Sequence, residues 1–195
     1  MHRRSALTAL LGAAAAAAGC MESKPQFKSV DLTGADYARD FAMPDQDGKM
    51  RTLKEFQGEV VVLFFGYTQC PDVCPTTLAE IAQAKQLLGA QGAKVRGVFV
   101  TVDPERDTPQ VLKSYLANFG PDFVGLRGTP EQTAAMAKDF KIYYKKVEGK
   151  TPGSYTMDHS AASFVYDPQG RLRLYTRYGS GAQALADDLK LLLKA

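Results

Sequence analysis

The stretch Glu59-Val60-Val61-Val62-Leu63-Phe64-Phe65-Gly66-Tyr67-Thr68-Gln69-Cys70-Pro71-Asp72-Val73-Cys74-Pro75 decides how this chain folds. Residues 59–66 are an unbroken β-branched and aromatic run, the composition of a central strand buried on both faces. Two cysteines follow, each directly before a proline, and proline biases its predecessor away from helical geometry. Cys74 is therefore expected to be the N-cap of a helix whose first residue is Pro75. Pro71-Asp72 favours a type I turn that folds Cys70 back toward Cys74. Both sulfurs are thus expected side by side beyond the carboxyl end of a central strand, where open α/β sheets bind ligands.

Working outward, residues 75–88 carry Leu78, Ile81, Ala82 and Leu88 on one helical face. Residues 94–102 read as a second strand, followed by a helix from Pro109 whose apolar stripe is Val111, Leu112, Tyr115, Leu116 and Phe119. A short strand over 123–126, a helix over 130–140, and strands over 163–166 and 172–177 joined at Asp167-Pro168-Gln169-Gly170 come next. A helix over 183–193 presents Leu185, Leu189 and Leu192. Upstream, residues 37–43 and 50–53 flank Asp45-Gln46-Asp47-Gly48, a β-hairpin signal. Alternating βα units ending in a hairpin and helix predict a three-layer α/β domain over 37–195, thioredoxin-like, with an N-terminal β-hairpin extension.

The 195 residues are 45% hydrophobic and 10% aromatic, with 24 Lys plus Arg against 21 Asp plus Glu, the composition of a globular protein and not of a disordered or fibrous one. The net charge of +3 is not gathered into a basic patch with interleaved aromatics, which argues against a nucleic-acid partner. The basic stretch 138–150 reads as a solvated face, with partner docking as the alternative. Residues 1–19 place Arg3-Arg4 before a short Ala/Leu-rich run, an export signal too short to span a bilayer. Ending in Ala17-Ala18-Gly19-Cys20, it resembles a bacterial lipoprotein signal, with Cys20 as the lipidated residue and 20–36 as a tether on the periplasmic side of the membrane. Cleavage there removes Arg3 and Arg4 and takes the net charge to +1. It leaves Cys70, Cys74 and His159 to carry chemistry.

A helix N-terminus favours the thiolate, which is both the redox nucleophile and the soft metal ligand. The CxxxC spacing permits a disulfide or a dithiolate metal clip. A purely structural disulfide closing so short a loop would stabilise little. His159 lies just before the strand at 163–166, where a thioredoxin topology brings it beside the cysteines as a candidate third ligand. Two thiolates and an imidazole suit Cu(I) and also Cu(II); a structural zinc site needs four ligands, which the processed chain does not offer. Asp158 is a candidate to orient the imidazole, with a solvated loop carboxylate as the alternative. Met157 reads as packing more than as a soft ligand, and residues 103–107 read as a surface loop leading into the helix at Pro109.

Together, Cys70-Pro71-Asp72-Val73-Cys74-Pro75, Asp158-His159-Ser160 and Val102-Asp103-Pro104-Glu105-Arg106-Asp107-Thr108-Pro109 resemble the Sco/SenC family from about residue 41 to the C-terminus. That resemblance implies a membrane-tethered copper-binding metallochaperone that helps assemble the CuA centre of cytochrome c oxidase. It also implies Cys70, Cys74 and His159 as the copper ligands and the CuA-bearing oxidase subunit as partner, with other periplasmic copper or thiol-redox proteins as further partners. The anchor departs from the family, many members of which carry a membrane helix. A dedicated thiol–disulfide oxidoreductase acting on the CuA-site cysteines is the alternative. A peroxiredoxin-like peroxidase is disfavoured, because its Pro-x-x-x-Thr-x-x-Cys arrangement is missing around both cysteines.

Overall fold

A computed structural model describes residues 25–194; Cys20 and the export signal lie outside them. In chain order the strands and helices are β1 (Val30–Asp31), β2 (Ala42–Pro44), β3 (Met50–Thr52), β4 (Val60–Gly66), α1 (Val73–Leu87), β5 (Val95–Thr101), α2 (Pro109–Leu116) and β6 (Val124–Leu126). They continue with α3 (Pro130–Asp139), β7 (Tyr144–Glu148), β8 (Tyr155–His159), β9 (Ala162–Tyr166), β10 (Leu172–Arg177) and α4 (Ala182–Leu192). The six-stranded sheet has the order β1-β10-β9-β4-β5-β6. β4 pairs parallel with β5 and antiparallel with β9, so every one of its residues is buried, as its unbroken apolar run requires.

Alternate residues of β4 serve opposite layers. Phe65 meets Phe140, just past α3, at 5.2 Å between ring centroids, and Phe140 meets Phe164 of β9 at 5.3 Å. Phe64 faces the other layer, 6.2 Å from Phe99, where Cys74 of α1 approaches Gly66 and where α1 packs on α4. Helices thus cover both faces of a mixed sheet, the expected thioredoxin-like arrangement. The N-terminal extension is the hairpin β2–β3, closed by Asp45, whose carboxylate accepts the Asp47 and Lys49 amides at 2.9 Å each and Arg51 Nε at 2.7 Å.

Two expectations change. Part of the stretch read as a tether is docked: β1 pairs antiparallel with β10, and Phe27 packs against the core. The carboxylate of Asp188, 1% exposed in α4, accepts the amides of Lys28 at 2.7 Å and Ser29 at 2.8 Å. A polar segment adheres here because one buried acid satisfies two backbone donors at once. The second change is a hairpin, β7–β8, in the region read as a loop and a basic face; among the described residues it pairs only with itself, and it carries His159 at its end. Its exposed lysines and threonine hid the alternation that marks a strand. Among the described residues, no helix is long and apolar enough to cross a membrane.

Candidate metal centre

The loop after β4 is set by a buried acid. Asp107, fully buried, accepts the Thr68 amide at 3.1 Å and the Thr68 hydroxyl at 2.6 Å, together with the Thr101 hydroxyl. Burial nevertheless holds its carboxyl above the usual carboxylate range. The loop so fixed turns through a Cys70 N–H to Tyr67 carbonyl bond of 3.3 Å and delivers a half-buried Cys70.

The helix start differs from expectation. α1 begins at Val73, so Cys74 is its second residue and not its N-cap; the flanking Asp72 makes no side-chain cap bond. The Cys74 amide instead donates to Cys70 Sγ at 3.4 Å. Cys70 therefore occupies, from outside the helix, the acceptor position that a capping side chain would take. The thiolate preference falls on it. The Cys74 thiol donates to Cys70, and the Asp72 and Cys74 amides add to it, which together pull Cys70 down to about 5. Cys74 is pushed up, since its proton is the one shared with Cys70 and its sulfur is fully buried. That sulfur fits only because residue 66 is glycine: a Cβ there would lie 2.7 Å from Cys74 Sγ.

His159 ends a strand and does not hang from a free loop. Its Nε2 lies 3.5 Å from Cys74 Sγ. Its Nδ1 donates to the Ser160 carbonyl at 3.1 Å, leaving the Nε2 lone pair turned toward the sulfurs. Phe64 and Tyr67 pack edgewise on the ring at 5.9 and 6.0 Å. The imidazole's hydrogen-bond partner is thus the Ser160 carbonyl, while Asp158 is exposed on the outer face of β8, opposite Lys145. Met157 is 8% exposed and belongs to the core, in line with its reading as packing.

The ligand atoms of Cys70, Cys74 and His159 all lie within 4.8 Å of one another. A metal ion about 2.3 Å from sulfur and about 2.0 Å from nitrogen sets those atoms about 3.5–3.7 Å apart at tetrahedral to trigonal angles. The observed 3.5 Å between Cys74 Sγ and His159 Nε2 fits such an ion with no rearrangement of the ring. Two sulfurs and one imidazole are a soft donor set.

Residues 103–107, read as a surface loop, are partly buried beside this centre: Asp103 is 3% exposed and Asp107 fully buried. Arg106 donates to Gln69 Oε1 at 3.1 Å and to the Tyr155 carbonyl at 2.9 Å. The usable signal was position, since this charged run leaves the carboxyl end of a strand adjacent to the one that bears the cysteines.

A family model described as SCO1/SenC matches residues 30–194. A SCO2-like protein of Rickettsia felis is 35% identical over 152 residues, which cover 77% of this chain and 74% of that protein. The structure of Bradyrhizobium japonicum ScoI with copper bound superposes with a TM-score of 0.71 at 42% identity, covering 78% of this chain and 97% of that one. The apo Sco1 protein of Thermus thermophilus gives a TM-score of 0.76 at 38% identity, covering 87% and 99%. On the extent of these matches, and with the cysteine pair and the histidine brought together, this chain belongs to the SCO1/SenC family.

Proposed function

We propose that this protein is a copper carrier that loads the CuA centre of cytochrome c oxidase from the periplasmic side of a bacterial membrane, held there through lipidated Cys20. The observation that carries the reading is the convergence of two sulfurs and an imidazole nitrogen within 4.8 Å at the mouth of β4. Copper is the cargo. Cys70 and Cys74 supply the thiolates that select it, and His159 completes a three-ligand shell that leaves positions open for an acceptor's ligands. The half-buried Cys70 is the sulfur an acceptor would meet first, and the buried Cys74 the one it would meet last.

The test is metal analysis of the reduced protein. Wild type should retain one copper per chain, Cys70→Ser and Cys74→Ser should lose it, and His159→Ala should keep Cu(I) while losing the native Cu(II) ligand field. Copper retained in a Cys70→Ser, Cys74→Ser double variant would defeat the assignment. Oxidase assayed at limiting copper in a strain lacking the protein tests the acceptor: unchanged CuA absorbance would remove the delivery role.

A second reading is supported by the free, inequivalent thiols. The Cys70 thiolate would attack a partner disulfide and release one partner thiolate. Cys74, losing its proton, would then attack Cys70 Sγ, leaving a Cys70–Cys74 disulfide here and a dithiol on the partner. Reduction of an oxidised CuA-site peptide by the metal-free protein separates this role from copper delivery.

A further inference from the structure

The hairpin that carries His159 is bonded to no strand of the main sheet. Something else must hold its inner face against the cysteine loop. On β8, residues 155, 157 and 159 share that face. Arg106 lies under this row, its guanidinium 3.5 Å from the centroid of the Tyr155 ring and 5.7 Å from that of Tyr67. One of its nitrogens donates both to the Tyr155 carbonyl at 2.9 Å and to Gln69 Oε1 at 3.1 Å. Gln69 immediately precedes Cys70, and Tyr155 belongs to the strand of His159. Asp103, 3% exposed, fixes the guanidinium from behind through Nε and accepts the Tyr155 hydroxyl at 2.9 Å. A single planar cation therefore touches the segments that bear both kinds of ligand.

We propose that Arg106 is a positioning residue of the metal centre: it ties β8 to the loop before Cys70 and so sets how closely His159 Nε2 is held to the two sulfurs. Its hydrogen bonds go to Asp103, Gln69 and Tyr155 and to none of the three ligand side chains, so its effect passes through His159. The planar fork matters as well as the charge, since lysine cannot stack on Tyr155 and bond both segments in the same way. The copper part of this inference rests on the proposed function, whereas the tie itself does not.

The experiment has a metal-free arm and a copper arm. In the metal-free protein, Arg106→Ala should speed amide hydrogen exchange across residues 155–159 by tenfold or more, leave β4 and β5 at wild-type protection, and be only partly corrected by Arg106→Lys. In the copper arm, Arg106→Ala should weaken Cu(II) binding about tenfold and perturb its visible spectrum in wild type, yet add nothing in a His159→Ala background. Equal losses in both backgrounds would mean a merely structural role and overturn the proposal, as would unchanged exchange over residues 155–159. If Arg106→Ala does not fold, Arg106→Gln carries the same comparison. If no variant binds copper, the carrier reading fails while the exchange result still decides the tie.

Discussion

The reactivity of Cys70 toward a disulfide probe should depend on pH in a way that an ordinary thiol does not. Its acidity lies at about 5, against about 8.5 for a free cysteine. At pH 7 the thiolate fraction is then near one, about 30-fold above that of a free thiol. A weaker base is also a poorer nucleophile, and a Brønsted coefficient of about 0.4–0.5 over about 3.5 units of acidity costs about 40-fold. The two effects nearly cancel at pH 7, where Cys70 should react no faster than a model thiol. At pH 5.5 its thiolate fraction is still about three quarters while the model thiol retains about one part in a thousand, so Cys70 should react about 20-fold faster. Stopped-flow reaction of the reduced protein with dithiodipyridine, followed from pH 4 to 8 beside glutathione, measures this directly. A rate that falls tenfold per pH unit from 8 down to 5 would refute the claim that the Cys74 thiol and amide, with the Asp72 amide, stabilise the Cys70 thiolate.

Three further outcomes follow from the packing. Phe65→Ala removes a fully buried ring between Phe140 and Phe164 and should cost about 3–5 kcal/mol in denaturant unfolding; a loss below about 1 kcal/mol would mean the two layers are not joined there. Asp188→Ala leaves the Lys28 and Ser29 amides without their acceptor and should cost about 2–4 kcal/mol, with β1 amides exchanging freely; retained protection at Val30 would contradict the docking. Burial raises the Asp107 carboxyl above its unfolded acidity, so the fold is relatively favoured when this group is protonated and loses that share as pH rises through the raised value. Wild type should therefore gain stability relative to Asp107→Asn as pH falls from neutral toward the ordinary carboxylate value of 3.8, and a relative loss on acidification would reverse the assignment.

How legible the molecule is in its sequence depended on which force set each part. β4, the stripe of α4 and Leu112 and Leu116 of α2 are set by burial, and apolar periodicity reports burial directly; Val111, expected on the α2 stripe, is 40% exposed, and Phe119 lies beyond the end of α2. The nearness of Cys70 to Cys74 is readable because Pro71 and a turn restrict the backbone between them and Pro75 restricts Cys74 itself. His159 lies beside the cysteines, as the topology predicts, but the hairpin that supports it is not legible: β7 and β8 are short, self-paired and largely solvated, so their strand character rests on backbone bonds that leave little trace in side-chain pattern. The sulfurs exchanged roles for a similar reason. The proline rule placed the cap at Cys74, whereas the helix starts at Val73 and recruits Cys70 as the acceptor, a choice made by three-dimensional proximity. Asp107, Asp188 and Arg106 give no sign of their structural parts, because a charge bonded inside the fold looks in sequence like any surface charge.

The direction of β1 bears on how the domain would sit at a membrane. β1 runs antiparallel to β10, β10 to β9 and β9 to β4, so the chain comes into the sheet from the same end at which β4 hands over its cysteines. Three interstrand spacings, about 14 Å, separate that entry from β4. The eight residues 20–27 reach at most about 28 Å when fully extended. An anchor at Cys20 would therefore tip the copper mouth toward the lipid headgroups and turn the opposite end, with the β4 N-terminus, out to bulk solvent. Such a carrier would be a short crane, able to serve acceptors embedded in the same bilayer and poorly placed to meet freely diffusing ones.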